Sequence, residues 1–135
     1  MKATFADTFY FLALLNPRDP SHADAKAAGQ HLSGRLVTTG YVLTEVADAF
    51  AAPRDRPRFL ALLDILDADP SVTIVPASEE LFRRGVDLYR QRADKDWPLT
   101  DCLSFVVMGD HGATEALTGD HHFQQAGYVP LLRKP

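Results

Sequence analysis

A chain of 135 residues, 46% hydrophobic and 24% charged, has room for one domain with a substantial core and the composition of an ordinary globular protein. No apolar run reaches the roughly 18 residues a bilayer span needs, and Met1–Asp7 lacks a signal peptide's long apolar core. With a single cysteine, Cys102, which excludes an internal disulfide, the expected compartment is the cytoplasm. The net charge of −4 argues against a protein that merely coats nucleic acid, yet it fits a nuclease whose site acids are masked locally by cations.

Taken in order, Ala3–Ala6 reads as a short strand ending on Asp7, and Phe9–Leu15 as a helix stopped by Asn16-Pro17. Pro20–Leu32 reads as a second helix with Pro20 near its first turn, and Leu36–Thr39 as a strand. The helix after Gly40 places Leu43, Val46, Ala47 and Phe50 on one buried face, with Glu45 off that stripe. Phe59, Leu62, Leu63 and Leu66 repeat the spacing in the next helix, which Pro70 closes. Val72–Val75 is the most β-branched run and hence a strand. Ser78-Glu79-Glu80 starts another helix, with Leu81, Phe82, Val86 and Tyr89 expected inward.

The stretch Asp94–Gly119 organises the rest. Thr100 is the expected cap of a nearly all-apolar helix that ends at Gly112, with Asp101 in its first turn, where the helix dipole favours a negative charge. Ala113–Thr118 follows as a strand delivering Asp120, then Asp120–Phe123 as a helical turn and Val129–Leu132 as an edge strand, where proline is tolerated. Strands alternating with helices imply a mainly parallel sheet covered on both faces, a three-layer α/β/α sandwich over one domain, residues 1–135. Sites in such folds lie outside the carboxyl ends of the strands. Asp7, Glu45, Asp101 and Asp120 should therefore meet at one sheet edge.

Crowded carboxylates repel, and a divalent cation removes that cost. Oxygen-only ligation suits Mg²⁺ or Mn²⁺, which can activate a water and neutralise charge on a phosphodiester. Thr8 and Thr118 stand beside two of the acids and could orient a carboxylate or a water; Thr100 and Asp96 are further outer-sphere candidates near Asp101. Asp96 reads otherwise as a solvated loop residue.

Asp7-Thr8 after a first strand, Glu45 in a helix, Leu99-Thr100-Asp101-Cys102 opening another and Thr118-Gly119-Asp120 after a strand together resemble the four acidic motifs of PIN domains, in order and over nearly the whole chain. The likeness is to small stand-alone members, including VapC-type toxins. It implies a Rossmann-like fold, Mg²⁺ or Mn²⁺ held by Asp7, Glu45, Asp101 and Asp120, and endonucleolytic cleavage of RNA to a 5′-phosphate and a 3′-hydroxyl. It further implies a homodimer and, for a toxin, an antitoxin partner. Pro98 stands where many relatives carry a serine, which should remove a hydrogen bond at the helix start and keep the site. Phe9 replaces a frequent small polar residue.

Other readings compete at single positions. His121 and His122 invite zinc, but adjacent histidines are expected to diverge on a helical turn and no cysteine joins them, so they read as rim residues. Trp97 should cover the apolar helix start rather than stack on a base, and Cys102 should be a small buried hydrophobe rather than a nucleophile. Arg54, Arg56 and Arg58, and Arg83, Arg84, Arg90 and Arg92 with Lys95, read as solvated helix faces, with phosphate contact as the alternative. At the level of the whole chain, the alternative to an endoribonuclease is a catalytically silent PIN-like module binding RNA or a protein. A phosphoacceptor receiver domain fits less well, because Asp7 has no acidic neighbour.

Overall fold

A computed structural model describes residues 2–134. Five strands, β1 (Ala3–Ala6), β2 (Arg35–Thr39), β3 (Val72–Val75), β4 (Glu115–Leu117) and β5 (Val129–Pro130), form one sheet in the order β3-β2-β1-β4-β5. Every neighbouring pair is parallel, with Phe5 opposite both Val37 and Ala116. The intervening helices are α1 (Thr8–Leu15), α2 (His22–Gln30), α3 (Gly40–Ala49), α4 (Arg56–Ala68), α5 (Glu79–Gln91), α6 (Leu99–His111) and α7 (His121–Gln125). The right-handedness of parallel crossovers puts α1–α4 on one face and α5–α7 on the other, in keeping with the contacts of α1 with α2 and α3 and of α6 with α5 and α7. No described helix is long and apolar enough to cross a membrane.

The chain winds outward from β1 to β3, then returns across the sheet to β4. The strand order therefore reverses between β1 and β4, and the crevice at their carboxyl ends is the place where such folds bind ligands. Phe5, Val37, Ala116 and Leu117 on the strands are fully buried, as are Met108 and Phe123 on the helices above. Each large side chain removed from water contributes about 1.5–3 kcal/mol, so the strand ends that carry the site rest on a firmly packed core.

Several expected boundaries move. The second helix is shorter than Pro20–Leu32, running from His22 to Gln30. Thr100 does not cap α6. Pro98 is the N-cap at φ −59° and ψ 153°, its carbonyl accepts from Cys102 N, and Thr100 lies inside the first turn without a side-chain cap anywhere at this end. Proline pre-sets this φ and lacks the N–H that a helix start would leave unpaired, so the helix begins one residue before the threonine.

The inward face of α5 also differs. Phe82 and Tyr89 are exposed, whereas Leu81 and Gly85 are buried and Leu88 packs against the core. A Cβ on Gly85 would come within 2.4 Å of Leu103 Cδ2, so the missing side chain lets α5 and α6 approach closely and turns the 81/85/88 stripe inward. Bidentate hydrogen bonds from Arg84 to Asp110 then tie the outer side of the same helix pair.

Elsewhere the local signals hold. Ser78 accepts from Leu81 N at the start of α5, Thr39 accepts from Val42 N at the start of α3, and Gly112 ends α6 with φ +65°. Proline in β5 sits on an edge strand.

Candidate active site

Asp7 follows β1 directly. Its N–H donates to Leu117 O at 3.3 Å, extending the ladder to β4, while its carbonyl accepts from Tyr10 and Phe11 at the start of α1. The backbone is thus held from both sides, and the residue is 5% exposed. Its side chain does not cap α1; instead Oδ2 accepts from Thr118 Oγ1 at 2.8 Å. The same Thr118 hydroxyl oxygen accepts from Asp120 N at 3.1 Å, so one buried threonine links the first acid to the backbone of the last.

Asp101 lies in the first turn of α6, 7% exposed, and Asp120 caps α7 by accepting from His122 N at 2.9 Å. Between them stands the His122 ring, its Nδ1 2.9 Å from Asp101 Oδ2 and 3.3 Å from Asp120 Oδ1. Glu45, on the exposed side of α3, accepts from Thr8 Oγ1 at 2.6 Å. All four predicted acids therefore converge, and two of the predicted threonines, Thr8 and Thr118, each donate to one of them. Thr100 and Asp96 make no hydrogen bond to any of the four among the described residues; the Thr100 carbonyl accepts from Ser104, and Asp96 is exposed beside Trp97.

Electrostatics reflect this crowding. Burial, aided by the charges of Asp101 and Asp120, pushes the Asp7 carboxyl from its ordinary 3.8 to about 7, against the pull of the Thr118 hydrogen bond. Burial also raises Asp101 to about 6; His122 opposes the rise, and the Asp120 and Glu45 charges add to it. Among the described residues no lysine or arginine forms an ion pair with any of the four acids. Two buried carboxylates without a fixed cation, surrounded by further carboxylate oxygens, match the donor chemistry of a hard divalent ion. Asp7, Glu45, Asp101 and Asp120 are the residues that could hold it.

The structure corrects the expectation for the histidine pair. The two rings do not diverge: their centroids lie 4.3 Å apart, and Nδ1 of His121 is 3.5 Å from the same Asp120 oxygen that His122 approaches. Asp120, as N-cap, fixes the first turn of α7, and the packing of Phe123 on Phe105 aims His122 back at α6. Gly119, read from the sequence only as part of the Thr118-Gly119-Asp120 motif, also has a packing role; a Cβ there would meet Phe9 Cζ at 2.5 Å, so the ring of Phe9 occupies the space beside the β4–α7 turn.

The neighbours of the site behave as cover. Trp97 is buried over the start of α6, edge-on to Phe105 at 5.0 Å, and its Nε1–H donates to Gln125. Cys102 is fully buried. Most of the clustered arginines are engaged within the chain: Arg58 with Leu15 O and Asp55, Arg56 with Ala51 O, Arg84 with Asp110, and Arg92 with Asp94 and the Trp97 face.

Solved structures share this architecture. The chain is similar to VapC20 of Mycobacterium tuberculosis, described as a sarcin–ricin-loop-cleaving toxin, with a TM-score of 0.83 and 23% identity over 93% of this chain and 96% of that one. It is similar to a toxin–antitoxin complex from Klebsiella pneumoniae (0.72, 17% identity, 97% and 99% covered) and to VapBC2 from Rickettsia felis bound to a promoter DNA fragment (0.65, 13%, 94% and 96%). At these identities the likeness establishes the fold. No curated protein matches the chain. The PIN domain family model matches residues 4–128, from within β1 to just before β5, and thereby spans all four acids: the chain belongs to the PIN domain family.

Proposed function

We propose that this protein is a Mg²⁺- or Mn²⁺-dependent endoribonuclease, acting as one domain, and the toxin of a toxin–antitoxin pair. The observation that carries the reading is the set of four carboxylates drawn from distant segments, two of them buried and raised well above the ordinary range, with no lysine or arginine paired with them among the described residues. A binding module gains nothing from maintaining such repulsion, whereas a hydrolase of a polyanion needs it.

In this reading Asp7 and Asp101 are the buried cation ligands, and Asp120 and Glu45 complete the donor set from the rim. When bound, the ion supplies an activated water and neutralises charge on the phosphodiester. The chain's own residues do the positioning. Thr118 fixes Asp7 through its hydroxyl and Thr8 fixes Glu45, so the carboxylate geometry is set before RNA arrives. The relatives named as toxin–antitoxin proteins support an antitoxin partner here, and a homodimer in solution is part of the same proposal.

Incubating a panel of structured RNAs with wild type and Asp101→Asn, in Mg²⁺, Mn²⁺ or chelator, tests the proposal. Cleavage should require metal and disappear in the variant. RNA binding without cleavage under all conditions would favour the silent-module reading, and equal cleavage by both proteins would reveal a contaminating nuclease.

A further inference from the structure

We propose that His122 is a positioning residue for the centre, its Nδ1–H holding the Asp101 carboxylate in the orientation that leaves the other oxygen free to bind the cation. The inference rests on the metal-dependent reading given above and adds to it a residue outside the four acids. With Asp101 ionised, its oxygen can only accept, so the contact at 2.9 Å places the ring proton on Nδ1.

Three features make this contact more than a chance rim interaction. Asp101 has no other side-chain hydrogen bond among the described residues, and the terminal torsion of an aspartate is broad and roughly two-fold, so without a donor its carboxylate would rotate. The donor itself is held firmly. His122 follows the Asp120 cap, and Phe123 next to it is fully buried, packed on Phe105 of α6 at 4.9 Å and near Phe5 of β1 at 6.3 Å. Finally, the arrangement repeats: Asp7 receives one donor from Thr118, Glu45 one from Thr8, and Asp101 one from His122, each from a different element than the acid it serves. Ligating carboxylates are commonly fixed in this way, and losing the partner typically costs about 10–100-fold in metal affinity.

The competing role is direct ligation, since the same Nδ1 lies 3.3 Å from Asp120 Oδ1 with His121 Nδ1 close by. Nδ1, donating to a carboxylate, has no lone pair left for a metal, and ligation through Nε2 is separated from the positioning role experimentally. Mg²⁺ and Mn²⁺ binding would be measured by titration calorimetry on wild type, Asp101→Asn, His122→Ala, His122→Asn and His122→Gln, each checked by circular dichroism and metal-free melting. The expected result is that His122→Ala weakens both ions to a similar degree, by about 10–100-fold. His122→Asn should recover most of the loss, because its amide nitrogen reaches the position of Nδ1, and His122→Gln should not.

Wild-type affinity in His122→Ala, or an Asn variant no better than Gln, would overturn the proposal. A loss confined to Mn²⁺ would overturn it in favour of direct ligation, because imidazole prefers the softer ion. Should His122→Ala fail to fold, the Asn and Gln variants carry the comparison alone. Wild-type binding by Asp101→Asn would instead remove the metal reading on which the inference stands.

Discussion

Replacing Asp7 by asparagine should make the metal-free protein more stable at neutral and alkaline pH. The shape of the side chain is kept, and the asparagine carbonyl can still accept from Thr118 Oγ1, which lies 2.8 Å from Asp7 Oδ2. What disappears is the cost of ionising a buried acid whose pKa is raised from 3.8 to about 7. Such a group holds its proton more tightly in the folded than in the unfolded chain. The wild type therefore loses stability as pH rises from about 4 to about 7, and the penalty is constant above that window. At ~1.4 kcal/mol per decade of acidity, the full displacement corresponds to at most about 4 kcal/mol. Losing the charge-assisted part of the Thr118 bond offsets some of this, leaving a net gain of about 1–3 kcal/mol.

Urea denaturation in chelator from pH 4 to pH 9 reads the effect directly. The two proteins should coincide near pH 4 and diverge to a plateau above pH 7, where the variant also melts several degrees higher. Saturating Mg²⁺ should reverse the order, since a ligand at 100 times its Kd stabilises the wild type by about 2.7 kcal/mol and the variant much less. A variant less stable than wild type at pH 8 in chelator, or a difference independent of pH, would refute the picture of a strained, uncompensated carboxylate.

Three further substitutions probe the scaffold. Gly85→Ala puts a methyl group against Leu103 Cδ2 and should destabilise the protein by about 1–3 kcal/mol, seen as a lower urea midpoint with unchanged slope. Gly119→Ala drives a methyl into the Phe9 ring; it should lower the melting temperature and RNA cleavage together, and Phe9→Leu in the same chain should restore both in part. Trp97→Phe removes the hydrogen bond to Gln125 and should cost about 1 kcal/mol in thermal denaturation while leaving Mg²⁺ affinity near wild type.

The strands and the convergence of the acids were legible because strands alternate with helices along the chain, and acids just past strand ends (Asp7, Asp120) or in the first turns of the helices that follow strands or loops (Glu45, Asp101) share one edge of a parallel sheet. The side chains that hold the acids were legible only in part. Thr8 and Thr118 stand beside Asp7 and Asp120 in sequence and were found, although Thr8 donates to Glu45 and Thr118 to Asp7. His122 serves Asp101 across 21 residues, and its direction depends on how α7 leans on Phe105, which no local pattern reports. The misjudged face of α5 has a similar origin. Phe82 and Tyr89 carry the larger apolar surface, yet an absent side chain at Gly85 decides which way the helix turns. Hydrophobic periodicity weighs what residues bring and is blind to the room a glycine leaves.

The Asp7–Thr118 bond joins residues 111 positions apart, and it joins them through a strand, β4, that reaches its place between β1 and β5 only after most of the chain has been made. During synthesis the first acid waits beside an empty position in the sheet, and Asp120 and His122 arrive later still. Closing so long a loop is slow and yields its contacts all at once. Completion of the fold and assembly of the four-acid cluster are therefore one event. In the nuclease reading proposed above, a growing chain cannot cut RNA before this site closes, and any message truncated ahead of Thr118 encodes a product with its first carboxylate unsupported and its last one missing.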